Sequence, residues 1–105
     1  MIDCIILCGG KSSRFNQNSK IFKHKFLEKY QGKSIIAHII DKCKQLNGKI
    51  FLSGGYRLDL INNLPNDINI IDSGETCGTA TRIKACEHLI TSDIFLVCYA
   101  DNILL

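Results

Sequence analysis

Apolar residues occur along this chain in short continuous runs and in helical repeats. Residues 2–8 form an apolar run closed by Gly9-Gly10, and its length and isoleucine content predict a buried strand. In residues 34–46 apolar side chains recur every three or four positions, which predicts an amphipathic helix stopped by Asn47-Gly48. Residues 50–52 then predict a second strand.

The second half of the chain repeats this alternation. Gly54-Gly55 turns the chain, and Pro65-Asn66 ends the short element that follows. The predicted elements are a short helix at 56–63, a strand at 68–71, a loop at 72–78, a helix at 79–90 and a strand at 94–99.

Strands that alternate with helices predict an α/β fold, here a Rossmann-like open parallel sheet with flanking helices in a single domain over residues 1–105. Ligands of such sheets bind beyond the carboxyl ends of the strands. Three predicted strands are followed at that end by distinctive segments: Gly9-Gly10 with a basic loop, residues 72–81, and Asp101. We therefore expect the ligand site at this edge.

The net charge of +3 hides a difference between the two halves. Residues 1–50 hold ten basic and three acidic side chains, whereas residues 51–105 hold three and seven. The basic excess suits either an anionic, phosphorylated ligand or a solvated loop. No apolar run approaches the ~20 residues of a membrane span, and no basic residue precedes the first apolar run. We expect a cytoplasmic protein that does not contact a membrane.

Six cysteines in a short chain raise the question of a disulfide framework or a metal site. Five of them fall at apolar positions of predicted strands or helices, which indicates small core residues in a reducing compartment. Cys77 lies in a Gly-rich loop and is the thiol we expect to be most exposed. The chain has neither a C-x-x-C pair nor a Cys/His cluster with zinc spacing, so we do not expect a structural zinc ion.

Two short segments imitate the end of a phosphate-binding P-loop. Gly10-Lys11-Ser12 and Gly32-Lys33-Ser34 both match its G-K-[ST] end, but the required first glycine falls on Ile5 or on Leu27. Neither residue can provide the tight backbone cradle. The spacing around Gly9-Gly10 also fails the G-x-G-x-x-G dinucleotide pattern.

Two longer segments carry a family resemblance. Residues 7–15 read L-C-G-G-K-S-S-R-F, and residues 24–40 read H-K-F-L-E-K-Y-Q-G-K-S-I-I-A-H-I-I. The first resembles the L-x-G-G-x-G-T-R-[LF] signature of sugar-phosphate nucleotidyltransferases, and the second resembles their P-K-P-[LM]-x-P-x-x-G-K-P-[IL]-x-x-[HY] segment. The resemblance implies that nucleotide-binding residues include Leu7, Gly9, Gly10 and Lys11, and that Arg14 and Lys25 are catalytic.

The residue types at these positions suit phosphate chemistry. Glycines let backbone N–H groups approach a base or a phosphate, and Arg and Lys neutralise oxygens that gain charge during nucleotidyl transfer. Taken singly, Gly9-Gly10 is better explained as a tight turn and Lys25 as a solvated lysine, and Lys11 also fits a solvated lysine. It is their joint spacing that favours the functional interpretation.

Two further matches follow in the expected order. Residues 72–84, D-S-G-E-T-C-G-T-A-T-R-I-K, resemble the loop and helix start that embrace the base, with the D-[TS]-G and R-I-K of glucose-1-phosphate cytidylyltransferases. This implies nucleotide contacts at Gly78 and Thr79. Residues 95–102, F-L-V-C-Y-A-D-N, resemble the strand end whose aspartate binds the catalytic Mg²⁺, which implies that Asp101 is the metal ligand. Alone, Asp101 also fits a turn or a helix N-cap.

Several positions depart from the family pattern. Ser12 replaces a glycine, which also occurs in cytidylyltransferases of isoprenoid synthesis and in molybdenum-cofactor nucleotidyltransferases. His24, Phe26 and Lys29 stand where prolines are usual, which puts the rigidity of this loop in doubt, and Ala100 replaces the glycine before the metal aspartate. Family members run well over twice this length, so we expect a truncated domain that lacks the acceptor half.

The resemblance implies a nucleotidyltransferase that converts NTP and sugar 1-phosphate into NDP-sugar and pyrophosphate, with CTP as the preferred donor and Mg²⁺ as the cofactor. An acceptor other than a sugar phosphate is the first alternative. A non-catalytic nucleotide-binding or interaction module is the second, and whether the chain is itself an enzyme stays open. We expect no specific nucleic-acid binding, because the lysines lack interleaved aromatic residues, and we expect an exposed sheet edge or apolar face that favours a homo-oligomer.

Overall fold

The computed structural model describes residues 1–8, 24–61, 64–75 and 78–100. Within these residues a parallel sheet of four strands has the order β5-β4-β1-β6. Its strands are β1 (Ile2–Leu7), β4 (Asn47–Gly54), β5 (Ile68–Asp72) and β6 (Phe95–Tyr99). Two helices, α1 (Ile35–Lys44) and α2 (Thr79–Lys84), accompany the sheet. The predicted α/β fold is confirmed.

Strand β1 lies in the middle of the sheet and aligns the ends of its neighbours. Leu7 at its carboxyl end is opposite Ser53 of β4 and Tyr99 of β6. The last residue of β4, Gly54, is in turn opposite Asp72, the last residue of β5. The strands therefore finish at nearly the same level, which brings the segments that follow them to one edge.

The two faces of the sheet carry separate cores because side chains alternate along each strand. Cys4 and Ile6 of β1 pack with the apolar stripe of α1, whereas Ile5 and Leu7 pack on the opposite face with Phe51. The alternation along β1 explains why the strand is apolar throughout: both of its faces are covered. The other residues of the α1 core include Ile36, Ile39, Ile40, Cys43, Ile50 and Leu52.

Helix α1 begins and ends close to its predicted limits. The Ser34 hydroxyl accepts a hydrogen bond of 3.2 Å from the Ala37 amide, which caps the helix and explains its start. Helical geometry ends at Lys44, and Asn47 follows with φ of 59°. The second strand was predicted too short, because Asn47 and Gly48 already belong to β4. A Cβ at Gly48 would lie 2.1 Å from the Ile2 carbonyl oxygen, so only glycine lets β4 begin this close to β1.

Before α1 the chain forms a small hairpin that the sequence did not predict. Strands β2 (Lys29–Tyr30) and β3 (Lys33–Ser34) pair antiparallel around a turn. Gln31 and Gly32 occupy the turn with φ of 51° and 89°. Two-residue strands bury too little surface to leave a period in the hydrophobic pattern, so the turn residues were the only signal.

Two predicted helices are shorter than expected. The helix predicted at 79–90 is interrupted: α2 stops at Lys84, and a 3-10 turn occupies Glu87–Leu89. Its apolar residues nevertheless pack on the sheet as one cluster, because Ile83, Cys86, Leu89 and Ile90 all join the core beside Phe51. The helix predicted at 56–63 is reduced to a 3-10 turn at Leu58–Leu60 in the part of the segment that the structure describes.

The prediction that the cysteines act as small core residues is confirmed for the five described ones. Four of them are buried, Cys98 is half-buried, and all five thiols are free. Cys77 lies outside the described residues. In the described ranges, no helix has both the length and the apolar character that a membrane span requires.

Candidate nucleotide site at the carboxyl edge of the sheet

The residues that precede two of the predicted functional segments are direct neighbours. The Ala100 amide donates a hydrogen bond of 3.0 Å to the Leu7 carbonyl oxygen, and the Cys8 amide donates one of 3.0 Å to the Ser53 carbonyl oxygen. The described strand ends that precede Gly9-Gly10 and Asp101 in the sequence are therefore neighbours, at the edge that β4 also reaches. This is the arrangement expected from the strand order.

Four predicted site residues fall within the described ranges. The Leu7 side chain is buried in the core beside Phe51, so this residue offers only its backbone to the edge. Gly78 and Thr79 are exposed at the start of α2. Lys25 begins a 3-10 turn at Lys25–Leu27. The other predicted site residues, Gly9, Gly10, Lys11, Arg14 and Asp101, lie outside the described residues.

A buried hydrogen-bond network joins α2 to the ends of β4 and β5. The Ser53 hydroxyl donates to the Arg82 carbonyl oxygen at 2.7 Å and lies 3.0 Å from the Ser73 hydroxyl oxygen. The Arg82 guanidinium then reaches forward: Nη1 donates to the Ser73 hydroxyl and to the Gly74 carbonyl oxygen, both at 3.0 Å. Arg82 and Ser53 are almost fully buried, so the network lies inside the protein and beneath the edge.

The turn after β5 is also fixed by its own backbone. The Ser73 amide donates to the Gly54 carbonyl oxygen at 2.7 Å, and the Gly74 amide donates to Asp72 Oδ1 at 3.0 Å. A Cβ on Gly55 would lie 2.0 Å from the Gly74 carbonyl oxygen, so the two backbones touch. Gly74 itself has φ of 100°, a conformation that favours glycine. The loop therefore leaves the sheet in one direction, toward Gly78.

His24 anchors the backbone of Lys25 near this edge. Its Nε2 lies 3.0 Å from the Arg57 carbonyl oxygen, which accepts the ring proton, and its ring stacks on Phe26 with centroids 4.6 Å apart. Both rings are buried. The stacked rings therefore restrain the backbone at His24 and Phe26, two positions where the family pattern has prolines.

The charge of Arg82 is the main electrostatic feature of the described part of the edge. Its hydrogen-bond acceptors are neutral, and neither ion pair of the described ranges, Lys33 with Asp41 or Arg57 with Asp59, includes it. Burial raises the pKa of the neighbouring Cys8 thiol to about 12, while the positive charge of Arg82 acts against this rise. A thiol with this pKa is protonated at neutral pH, which leaves Arg82 as the charged group there.

Sequence reasoning missed the roles of Ser53, Ser73 and Arg82. Arg82 belongs to the R-I-K sequence of the motif, and an arginine in a helix is ordinarily a surface residue. Its burial depends on Ser53, which is distant in sequence, so no local pattern revealed it. The described ranges contain no cluster of three His, Cys, Asp or Glu side chains that could hold a metal ion.

Comparison with known proteins identifies the family. A family described as the MobA-like NTP transferase domain matches residues 4–105. The chain belongs to this family. As a MobA-like NTP transferase domain it is a nucleotidyltransferase domain, in agreement with the resemblance seen in its motifs.

Two relatives illustrate the relationship. The domain is 30% identical over 103 residues to the bifunctional protein GlmU of Ruthia magnifica, covering 95% of this chain and 22% of the relative. It is 32% identical over 106 residues to GlmU of Methanocaldococcus jannaschii, covering 97% and 25%. The chain therefore spans about a quarter of the length of the curated relatives that it matches.

Two solved structures share the fold of the MobA-like domain. HddC from Yersinia pseudotuberculosis, complexed with GMP-PN, superimposes with a TM-score of 0.75 at 25% identity, covering 96% of this chain and 48% of that chain. A glucose-1-phosphate thymidylyltransferase from Bacillus anthracis, named as putative and in complex with a sucrose, gives 0.78 at 25% identity, covering 98% and 45%. Both neighbours are about twice as long as this chain.

Proposed function

We propose that this chain binds a nucleoside triphosphate at the carboxyl edge of its sheet, as the nucleotide-binding part of a sugar-1-phosphate nucleotidyltransferase. The hydrogen bond between the Ala100 amide and the Leu7 carbonyl oxygen carries this proposal. It joins the ends of the two strands that precede Gly9-Gly10 and Asp101 in the sequence. The name of one solved neighbour, a putative glucose-1-phosphate thymidylyltransferase, agrees with a sugar-phosphate acceptor.

In the proposed reaction a phosphate oxygen of the sugar 1-phosphate attacks the α-phosphorus of the nucleotide. Gly9, Gly10, Gly78 and Thr79 hold the nucleotide through backbone and hydroxyl groups, with Leu7 and Lys11 beside them. Arg14 and Lys25 stabilise the charge that develops on the phosphate oxygens, and pyrophosphate leaves. The roles of these residues rest on the motifs that carry them.

Asp101 is the proposed ligand of Mg²⁺. A carboxylate oxygen suits this hard cation, and the bound metal would supply positive charge to the phosphate oxygens. In the sequence Asp101 comes two residues after the end of β6, as Gly9 comes two residues after the end of β1, and these two strands are neighbours in the sheet. A cytoplasmic location is proposed on the five free thiols, because such thiols are typical of a reducing compartment.

Cytidine is the proposed base. The support is the D-S-G start of the loop after β5 and the R-I-K sequence in α2, which resemble cytidylyltransferases. Acceptors other than sugar phosphates are the alternative, since the motifs of this chain resemble nucleotide-binding segments and do not identify the acceptor.

A second candidate function is nucleotide binding without transfer. It is favoured by the span of the chain, which covers less than half of the solved neighbours. Transfer requires the nucleotide and the acceptor to be held in line, whereas binding requires the nucleotide site alone. An assay of pyrophosphate release from NTP and glucose 1-phosphate separates the two functions, because only the transferase releases pyrophosphate.

Calorimetric titration with CTP, GTP, UTP, ATP and dTTP tests the proposed site, first with Mg²⁺ and then with EDTA, at two salt concentrations. We expect selective binding of CTP that EDTA abolishes. Asp101→Ala should remove the Mg²⁺-dependent part, whereas Asp93→Ala, which deletes an exposed carboxylate before β6, should bind like the parent. Equal, weak binding of all five nucleotides that fades with salt would overturn the proposal, because that pattern indicates charge attraction alone.

A further inference from the structure

Arg82 connects helix α2 to the loop that leads to the proposed nucleotide contacts. One nitrogen of its guanidinium, Nη1, holds both the Ser73 hydroxyl and the Gly74 carbonyl oxygen at 3.0 Å. Gly78 and Thr79 lie only a few residues farther along the same loop. A fixed point at Gly74 therefore limits where the backbone of Gly78 can lie.

The Gly74 carbonyl group is contacted from two sides. Gly55 at the end of β4 touches the Gly74 carbonyl group on one side, as shown by the 2.0 Å separation that a Cβ on Gly55 would have. The Arg82 guanidinium donates to the same carbonyl oxygen. The loop is thus held between the sheet and α2, and the Arg82 guanidinium is the link from α2 to the Gly74 carbonyl oxygen.

The other end of Arg82 is held by the sheet. The Ser53 hydroxyl donates to the Arg82 carbonyl oxygen at 2.7 Å. The Arg82 amide donates to the Gly78 carbonyl oxygen at 3.2 Å. Ser53 belongs to β4, whose hydrogen bonds to β1 and β5 make it rigid. One residue therefore transmits the position of the sheet both to Gly74, through its side chain, and to Gly78, through its backbone.

The charge of Arg82 gives this arrangement a second consequence. The side chain is only 5% exposed, and its acceptors in the described ranges are neutral. Burial of a cation without a paired carboxylate is unfavourable unless another anion offsets it. A triphosphate bound at the proposed site would provide such an anion.

We propose that Arg82 is a positioning residue of the nucleotide site: it fixes Ser73 and Gly74, and through them it sets the backbone of Gly78 and Thr79 for the nucleotide. This inference rests on the proposed function for its consequence, but its structural part can be tested without a ligand. The Ser73 amide is the main reporter, because it donates to the Gly54 carbonyl oxygen of β4, and the Gly74 amide, which donates to Asp72 within the turn, is measured beside it.

The test uses amide hydrogen exchange and nucleotide titration on three variants. Arg82→Gln removes the guanidinium group and its charge. Arg82→Lys keeps the positive charge but replaces the planar guanidinium by an ammonium group. Lys84→Gln is the matched control, because it removes one positive charge from an exposed side chain of the same helix. In Arg82→Gln we expect exchange at Ser73 and Gly74 to accelerate about tenfold or more, since a hydrogen bond to a charged group contributes about 1.5–3 kcal/mol.

The same variant should bind CTP with Mg²⁺ about tenfold more weakly or worse at a temperature where circular dichroism shows it folded, which separates positioning from stability. Arg82→Lys should recover part of the affinity, and exchange at Ile5 in β1 should stay at the parent rate. Exchange and affinity equal to those of Lys84→Gln would overturn the proposal. Full recovery of the exchange rates and of the affinity by Arg82→Lys would also overturn it, because the guanidinium group would then be unnecessary.

Two further outcomes are distinguishable. If the parent chain binds none of the five nucleotides, the proposed function fails, while exchange at Ser73 and Gly74 still decides whether Arg82 fixes the loop. If Arg82→Gln does not fold, Ser53→Ala replaces it, because this change removes the hydroxyl that contacts both the Arg82 carbonyl oxygen and the Ser73 hydroxyl without removing a charge. Unchanged exchange at Ser73 and Gly74 in Ser53→Ala would then contradict the proposal.

Discussion

The carboxylate of Asp3 accepts a hydrogen bond of 2.8 Å from the Thr91 amide, which joins the start of β1 to the turn before β6. Its other oxygen accepts one of 2.8 Å from the Lys49 amide of β4. Asp3 is fully buried, and burial alone would raise its pKa, but hydrogen bonds from Thr91, Lys49 and Ser92 outweigh it and lower the pKa below its usual value. The three strands are thus tied together at the amino edge, opposite the proposed site.

Asp3→Asn should lower the free energy of unfolding by about 2 kcal/mol, because the carboxamide cannot accept from both sides with the same strength. A lowered pKa means that this contribution is present above about pH 4, the value for an unfolded Asp, and is lost as the pH falls through the folded pKa. Thermal melts from pH 6 to pH 2.5 should therefore converge for parent and variant at low pH. Asp67→Asn, at an exposed turn, is the control, and a constant difference across the range would contradict the assignment.

Gly55→Ala should destabilise the protein by about 2 kcal/mol or more, because the added methyl group would meet backbone atoms of Gly74 and Glu75 that cannot move aside cheaply. Urea denaturation measures this difference. Gly78→Ala is the control for stability, since nothing lies within 4 Å of its added Cβ. Equal stability of the two variants would show that the contact between Gly55 and Gly74 is absent in solution.

Cys98 should be the most reactive thiol of the five described cysteines. Its sulfur lies 3.9 Å from that of Cys43, and the hydrogen bond from Cys43 lowers the pKa of Cys98 to about 7, while the pKa of Cys43 is raised. Alkylation by iodoacetamide, followed by peptide mass spectrometry from pH 6 to pH 9, should label Cys98 before Cys86, with a rate that rises through pH 7. Cys43→Ala should shift this rise to higher pH. An unchanged profile would exclude the role of Cys43.

Strand β6 should make the chain self-associate. Its outer edge pairs with no other described strand, and Phe95, Leu96 and Tyr99 are 41%, 40% and 53% exposed. Such an uncharged edge favours pairing with a second copy. Sedimentation velocity over a hundredfold range of concentration should show oligomers of the parent and less of them in Leu96→Lys. Ile70→Lys makes the same change on β5, and if it alone suppressed association, the contact would lie at the other edge.

The fold was largely predictable because its strands are apolar on both faces and its main helix has a regular stripe. Residues 2–8 predicted β1 by their length and isoleucine content, and residues 34–46 predicted α1 by their period. The break in the helix predicted at 79–90 was not visible, since Ile83, Cys86 and Leu89 keep helical spacing across the interruption. The apolar spacing predicts that these residues pack on the sheet. A continuous helix and an interrupted one both allow that packing.

The sequence predicted at which edge of the sheet the candidate site should lie. It did not predict the hydrogen bonds of Ser53 and Arg82 beneath that edge. Parallel strands end at one edge, so Gly9-Gly10, residues 72–81 and Asp101 could be assigned there from strand order alone. Ser53 and Arg82 could not, because their interaction joins β4 to α2 through hydrogen bonds that leave no periodic signal. The buried ring of His24 was likewise recognised only as a departure from a motif.

The central place of β1 in the sheet also has a consequence for synthesis. Translation releases β1 first, yet one edge of that strand pairs with β4 and the other with β6, the last of the described strands to emerge. Until then the apolar residues Cys4, Ile5 and Ile6 have an open side, in a topology whose distant pairings close slowly. A nascent chain that has not yet made β6 therefore carries an unpaired strand edge, which is a site for pairing with other chains.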